Sequence, residues 1–489
     1  MAATIAIVGG GFCGTLAAIR LLTAAQRGGA SLPFGSRILL IDRARAGQGL
    51  AYRPGPDCWR LNVCADKMSA FVGRPDDFLR WAQARDPQVN GSDYLPRSWY
   101  GDYLTDRLDL AIRRSPRWLD FERIRDRATD IAVDGEVARI SLSDGRTVEA
   151  DRVLLALGNS PAAARIADAA EDATIANAWD LDWIENLPAY VPRVMLIGTG
   201  LTMIDMALAI NQARPDTRIL AISRHGLLPR PHNDSGAPPA RKSSRLNAGK
   251  ALSRGSLHER LRRFRSEVLA SAAVGGDWRA AIQQVREAMP ALWQAASISL
   301  RRRFLRHLRA WWDVHRHRVP AATHSRIEEL RHRKRLAVAA GRLVEARRID
   351  GGIAVSWRAR GSQKLHEELV DAVVNVTGPD SDPRRATCPL VQSLVEQGLC
   401  LPDETGLGWG ADTDGRLLTA DGRPSPLIYY VGPLLRARHW EATAVPELRE
   451  HVDRTAIAIA KSLSSGAGSY LRSLAAPAFR RAPEGTHPF

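Results

Sequence analysis

Ile5-Ala6-Ile7-Val8-Gly9-Gly10-Gly11-Phe12-Cys13-Gly14 decides the fold. A short apolar, β-branched run leads into a glycine cluster, and Leu16, Ala17, Ile19, Leu21 and Leu22 then repeat with helical spacing. The order is strand, glycine turn, helix. In such a unit Gly9 permits the tight turn, Gly11 lets backbone approach a pyrophosphate, and Gly14 lets helix and strand pack closely. The anion would rest on the helix N-terminus. A second strand, Arg37 to Ile41, ends in Asp42, an acid placed to hold a ribose hydroxyl. Asp42 lies 33 residues after Gly9, and the Gly/Ser/Pro-rich stretch 27–36 accounts for the excess over the usual spacing of about 20 as a longer loop.

The pattern recurs. Val194 to Ile197 is an apolar strand followed by Gly198-Thr199-Gly200-Leu201-Thr202-Met203 and a helical run through Met206, Leu208 and Ile210. Met203 replaces the third glycine, so this helix is expected slightly farther from its strand. The next strand, Arg218 to Ile222, ends in Ser223-Arg224-His225 rather than an acid. An acid would repel a 2′-phosphate, whereas Ser223 and Arg224 would bind it, so this copy favours NADPH over NADH. Each motif also closes alike. Val137 to Ser143 turns at Asp144-Gly145 into Thr147 to Glu149, before Arg152 to Gly158; Gly341 to Ile349 turns at Asp350-Gly351-Gly352 into Ile353 to Trp357, before Asp371 to Gly378. Two related nucleotide-binding units follow, of 149 residues from Gly9 to Gly158 and 180 from Gly198 to Gly378.

The 489 residues suggest roughly three domains. With 45% hydrophobic and 25% charged residues the chain is globular, not disordered or fibrous. The net charge of +16 is local: residues 241–348 hold 26 basic and 8 acidic residues, and the remainder is near neutral. Five cysteines without a CxxC pair or a Cys/His set at zinc spacing give no metal site and fit a reduced, cytoplasmic setting. The apolar start lacks a basic flank and is broken at once by glycines, so it does not read as a signal peptide. No apolar run approaches membrane-spanning length, and a soluble protein is expected.

Further stretches carry a family resemblance. Gly47-Gln48-Gly49-Leu50-Ala51-Tyr52, Leu61-Asn62-Val63-Cys64-Ala65-Asp66-Lys67-Met68-Ser69, Asp77-Phe78-Leu79, Pro96 to Leu104, Gly198 to Thr202 and Tyr430-Val431-Gly432-Pro433 resemble the bacterial FAD/NAD(P)-binding proteins of the YdhS type. That family's two-dinucleotide layout is similar to the class B flavoprotein monooxygenases, which include amino-acid N-hydroxylases and Baeyer–Villiger enzymes. Cys64 stands where the family motif usually has proline, and Ala156-Leu157-Gly158 stands for the usual Ala-Thr-Gly.

The resemblance implies an α/β fold of two Rossmann-like domains, an FAD domain made discontinuous by an inserted NADPH domain, with a helical insert. The expected boundaries are 1–190 and 371–460 for the FAD domain and 191–235 and 336–370 for the NADPH domain. A basic insert at 236–335 and a flexible tail at 461–489 complete the chain. FAD is expected on Gly9, Gly11, Gly14, Asp42, Gly47, Gly49, Asn62, Met68, Gly158 and Gly432, and NADPH on Gly198, Gly200, Thr202, Ser223, Arg224, Thr377 and Gly378.

FAD chemistry accepts hydride and, when reduced, activates oxygen. No CxxxxC follows the first motif, which argues against disulfide-reductase chemistry. Asn62 is a candidate hydrogen-bonding group beside the flavin, or a turn-stabilising Asn. His439 and Glu441, flanking Trp440 shortly after Gly432, are a candidate acid/base pair, or a surface turn. In the insert, Trp278, Ile282, Val285, Met289 and Leu292 form one helical stripe and Phe304, Leu308, Trp311 and His315 another. Residues 303–318 read as an arginine-rimmed cap that attracts phosphates or an acidic substrate rather than nucleic acid. The leading expectation is an NADPH-dependent FAD monooxygenase acting with molecular oxygen on a small, anionic or amino-acid-like amine. A flavin reductase or oxidase and a nucleotide-binding redox sensor are the alternatives.

Overall fold

The computed structural model describes residues 2–26, 32–160, 175–233, 252–273 and 275–474. Two mixed sheets, parallel at their centres with antiparallel edges, organise them. The first runs in the order β15-β16-β7-β1-β2-β3, from β1 (Thr4–Val8), β2 (Arg37–Ile41), β3 (Asp120–Ile124), β7 (Arg152–Leu155), β15 (Arg416–Leu418) and β16 (Pro424–Tyr430). Its central strands are continuous apolar runs because both faces are covered: Ile5, Ile7, Val153, Leu154, Ile428, Tyr429 and Tyr430 are fully buried. α1 (Phe12–Gln26) lies on the sheet, and α2 (Asp77–Arg85) and α3 (Arg97–Arg114) enclose a core of Phe78, Tyr100 and Tyr103 beside it. The expected hairpin forms as β5 (Val137–Leu142) and β6 (Thr147–Ala150), with β4 (Ala128–Asp134) on its free edge.

The second sheet runs β13-β12-β11-β10-β9-β14-β8, from β8 (Ile175–Asn177), β9 (Arg193–Ile197), β10 (Arg218–Ser223), β11 (Leu336–Ile349), β12 (Gly352–Ala359), β13 (Leu365–Val370) and β14 (Ala372–Asn375). Here the hairpin is fused to the sheet. β11 pairs parallel with β10 up to Ala340 and antiparallel with β12 from Gly341 onward. A side chain at Gly341 would strike Trp357 and the Arg358 carbonyl, so glycine is required where the strand changes partner. Two expected boundaries move. β8 and β14 both hydrogen-bond into this sheet, so 175–190 and 371–378 belong with the second domain, not the first. The short α4 (Asp182–Glu185) and then α5 (Leu201–Ala213) follow β8 and β9; Met203 is fully buried in the second core.

The insert is helical as expected: α6 (Leu257–Ala272), α7 (Trp278–Ala295), α8 (Ile298–His307), α9 (Arg309–Arg316) and α10 (Ala321–His332). The second stripe is not one helix. Leu308 ends α8 and begins α9 in a single bent step. α10 packs Ile327 and Leu330 into the second domain's core as its crossover helix. Ile282, Val285, Met289, Trp293 and Trp312 build a separate core that includes Trp440 and Ala437 of the first domain. After α11 (Pro389–Glu396), α12 runs Val445–Leu474, so 461–474 is helix where a flexible tail was expected; 475–489 lies outside the described residues. Among the described residues no helix is long and apolar enough to cross a membrane.

Candidate functional site: two glycine turns and a shared cleft

The two turns are built alike. The Gly9 N–H donates to Ile41 O (2.9 Å) and the Gly198 N–H to Ile222 O (2.7 Å). Both glycines have positive φ, +106° and +122°. A Cβ would collide with Ala156 O at the first and sit 2.5 Å from Val376 O at the second. Each turn is therefore wedged against the closing strand of its own domain. At Gly14 a Cβ would collide with the Gly9 carbonyl, which gives the close helix-to-strand packing expected of the third glycine. Among the described residues the N–H groups of Gly11, Phe12 and Cys13, and of Gly200, Leu201 and Thr202, find no acceptor. Two helix N-termini thus present free donors and positive dipole ends, the equipment for a pyrophosphate.

Around the first turn the expected residues divide. Asp42 accepts from Gly10 N–H (2.5 Å) and Ala44 N–H (2.7 Å), bracing the turn while each oxygen keeps a lone pair for a hydroxyl. Gly47 and Gly49 close over the turn. The Gly47 N–H reaches Gly10 O and Thr15 Oγ1, both at 2.8 Å, and a Cβ on Gly49 (φ +48°) would meet Gly11 Cα at 2.9 Å. Gly11 itself faces Gly49, since its own Cβ would meet Gly49 Cα at 3.6 Å. Gly158 has positive φ beside open space. Met68 is buried in the first core. The Asn62 carbonyl faces His232 Nε2 at 3.0 Å, which ties this loop to the chain leaving β10.

The second turn opens on a cleft of about 640 Å³ lined by Gly198, Gly200, Thr202, Ser223, Arg224, Thr377 and Gly378, all seven expected residues of that site. Gly200 has no atom within 4 Å of where its Cβ would stand, so the protein itself leaves that space clear. Ser223 Oγ lies 2.8 Å from Thr199 Oγ1 and accepts the Gly226 N–H. Arg224 is exposed at the rim. Arg342, from the middle of β11, joins it there, and Arg360 reaches His225 Nδ1 at 2.8 Å beside them. Sequence reading missed both arginines because they come from a hairpin more than a hundred residues downstream.

The opposite wall comes from α9 and from the segment after Gly432. Ala310, Asp313, Val314 and His317 face Pro433, Leu434, Arg436 and Thr443. Asp313 Oδ1, Arg436 Nε and Thr443 Oγ1 are buried without hydrogen-bond partners among the described residues. Burial pushes the Asp313 carboxyl up and lowers the Arg436 guanidinium to about 10, with Arg309 adding to the latter. His317 is pushed down to about 3 by burial and by surrounding arginines, so its ring is neutral at pH 7.

The structure does not bring His439 and Glu441 together as an acid/base pair. Glu441 is buried, with Oε2 2.6 Å from Arg316 Nε and 3.9 Å from Arg286 Nε, so its carboxylate holds the insert to the first domain. His439 faces the ring of His451 at 4.5 Å. Trp440 stacks among Trp293, Phe304 and Arg436 in the interface instead of over a cofactor. No local signal distinguishes a buried tether from an acid/base pair, since both need a charged residue beside an aromatic.

Residues 6–160 match a protein-family model described as FAD-NAD(P)-binding. No curated protein matches the sequence. Among solved structures the chain is similar to ornithine hydroxylase from Pseudomonas aeruginosa (TM-score 0.64, 18% identity, 95% of this chain and 100% of that one). It is also similar to L-lysine 6-monooxygenase from Pseudomonas syringae (0.60, 15%, 95% and 99%) and thioredoxin reductase from Lactococcus lactis (0.50, 10%, 95% and 99%). The fold is that of the two-dinucleotide flavoproteins.

Proposed function

We propose that this chain is an FAD- and NADPH-dependent monooxygenase that hydroxylates a small amine or amino acid. The observation that carries the reading is the cleft: a free helix N-terminus and an arginine rim form one wall, and on the other stand Asp313, paired with Arg309 through Oδ2 at 3.4 Å, and Arg436, with Asp313 Oδ1 and Arg436 Nε buried without hydrogen-bond partners among the described residues. The first turn fits the pyrophosphate of FAD through the free N–H groups of residues 11–13 and its ribose through Asp42. The second fits NADPH through residues 200–202, with Arg224 and Arg342 on the 2′-phosphate. Bound FAD accepts hydride from NADPH and, once reduced, activates molecular oxygen.

The remaining work belongs to the chain. Arg436 is placed to take a substrate carboxylate through its open Nε–H and Asp313 an ammonium group through its open Oδ1, each contact offsetting the desolvation of a buried polar atom. His317 stays neutral at working pH and adds no charge to the wall. α9, held to the first domain by the Arg316 and Glu441 pair, keeps that wall in place. The thioredoxin-reductase likeness does not extend to chemistry. All five cysteines are unpaired, and burial pushes the Cys13, Cys64 and Cys400 thiols up to about 12, 11 and 12. Unpaired thiols also fit a reducing, cytoplasmic setting.

The test is NADPH consumption, hydroxylated product and hydrogen peroxide measured across amines and amino acids. One substrate should couple product to NADPH. Peroxide equal to NADPH with every substrate would overturn the reading in favour of an oxidase. For that substrate, Arg436→Ala should raise KM by roughly 10- to 100-fold, the worth of a charge-assisted hydrogen bond, with FAD content unchanged. An unaltered KM would remove Arg436 from the substrate site.

A further inference from the structure

α6 is an amphipathic helix whose apolar stripe is only half-buried, with Phe264 touching the insert's core. Leu257, Leu261, Phe264 and Val268 recur at helical spacing, yet no residue of the helix is buried. An apolar stripe ordinarily closes on a core. Here it faces a cavity of about 370 Å³ whose far side is Ile282, Val285, Met289 and Trp293 of α7. Trp278, Phe304, Trp311 and Trp312 complete its aromatic walls. The volume lies in the range of small-ligand sites, which are apolar with a few polar groups for orientation.

The polar groups of this cavity have one sign. Among the described residues its charged and titratable lining residues are Arg260, Arg265, Arg301 and His315, with no carboxylate. Arg301 is committed to the Trp293 and Gln294 carbonyls, whereas Arg260 uses only Nε, toward Gly255 O. Arg265 has no ion-pair partner among the described residues. Guanidinium N–H groups at the edge of an apolar chamber match an anionic head on an apolar body.

We propose that the helical insert carries a second ligand site, separate from the cleft, for a small amphipathic carboxylate with an acyl or aryl body. The separation is physical. α9 is the partition, with Trp311, Trp312 and His315 on the cavity side and Ala310, Asp313 and Val314 on the cleft side. A ligand lodged against the tryptophans therefore sits behind the wall that holds Asp313.

The test uses the full chain and titration calorimetry with decanoate, decylammonium and decanol below their aggregation concentrations. Decanoate should bind saturably and at least tenfold more tightly than decylammonium. Leu261→Trp, which fills the chamber from α6, should weaken decanoate at least tenfold while leaving NADPH affinity unchanged. The surface variant Arg260→Gln/Arg265→Gln, which leaves the apolar packing alone, should erase the preference for the carboxylate head. Absence of saturable decanoate binding, or equal affinity for all three heads, overturns the proposal. Concentration-dependent dimers that decanoate does not dissociate would assign the face to a second copy of the chain and overturn it as well.

Discussion

Gly14 and Gly11 differ although they share one motif. A methyl at Gly14 would drive into the Gly9 carbonyl, and backbone cannot move away as a flexible side chain would. A methyl at Gly11 meets only Gly49 Cα at ordinary contact distance. Gly14→Ala is expected to lower the thermal midpoint and strip the flavin, whereas Gly11→Ala keeps the fold; absorbance near 450 nm and a melting curve on each variant check this. Larger residues at Gly11 should displace the 47–49 loop and lose FAD. At the second site, Arg224→Ala should cut the NADPH over NADH preference by roughly 10- to 100-fold, as a charge-assisted contact to phosphate contributes about 1.5–3 kcal/mol. Arg342→Ala should cost part of the same preference. Unmutated protein that uses both coenzymes equally would show that neither arginine reads the phosphate.

Elements of the two domains are tied by a buried pair. Arg97 of α3 reaches Asp205 of α5 at 2.8 Å, and both side chains are mostly buried. The Trp59 indole donates to the Asp205 carbonyl alongside. Burial pushes the Asp205 carboxyl up and Arg97 opposes it. Arg97→Ala leaves a carboxylate desolvated and should destabilise the chain by about 3–5 kcal/mol, while the apolar double variant Arg97→Met/Asp205→Leu should recover most of that. Urea midpoints on both decide it. The His439 and His451 contact sits where α12 begins, and burial lowers the two rings to about 4 and 3. Unfolded histidine titrates near 6.5, so below that pH the unfolded chain takes up more protons than the folded one. Stability contributed by the neutral rings is full above about pH 6.5 and declines as pH falls toward 4. The thermal midpoint should drop between pH 7 and 5, and His439→Gln/His451→Gln should flatten that drop.

At the scale of the molecule, local chemistry wrote most of the plan. Both strand, turn and helix units, both hairpins and both closing strands were legible, because an apolar run, a glycine with positive φ and a helical stripe are each decided within about fifteen residues. Gly198, Gly200 and Thr202 were legible for the same reason, and Ser223, Arg224, Thr377 and Gly378 from the ends of their own strands. Other features depend on partners distant in sequence. β14 reads like β7, yet only its register on β9 assigns it to the second sheet. Arg342 reaches the rim of the cleft, and Arg360 His225 beside it, because β11 switches partners at Gly341. Glu441 is a tether, not a base, because α9 delivers Arg316 to it across 125 residues. The sequence by itself determined the two dinucleotide folds, since those rest on backbone conformation and nearest neighbours. The tertiary structure alone decided the far wall of the cleft and the apolar chamber behind it, since burial and the loss or gain of a partner exist only once distant segments meet.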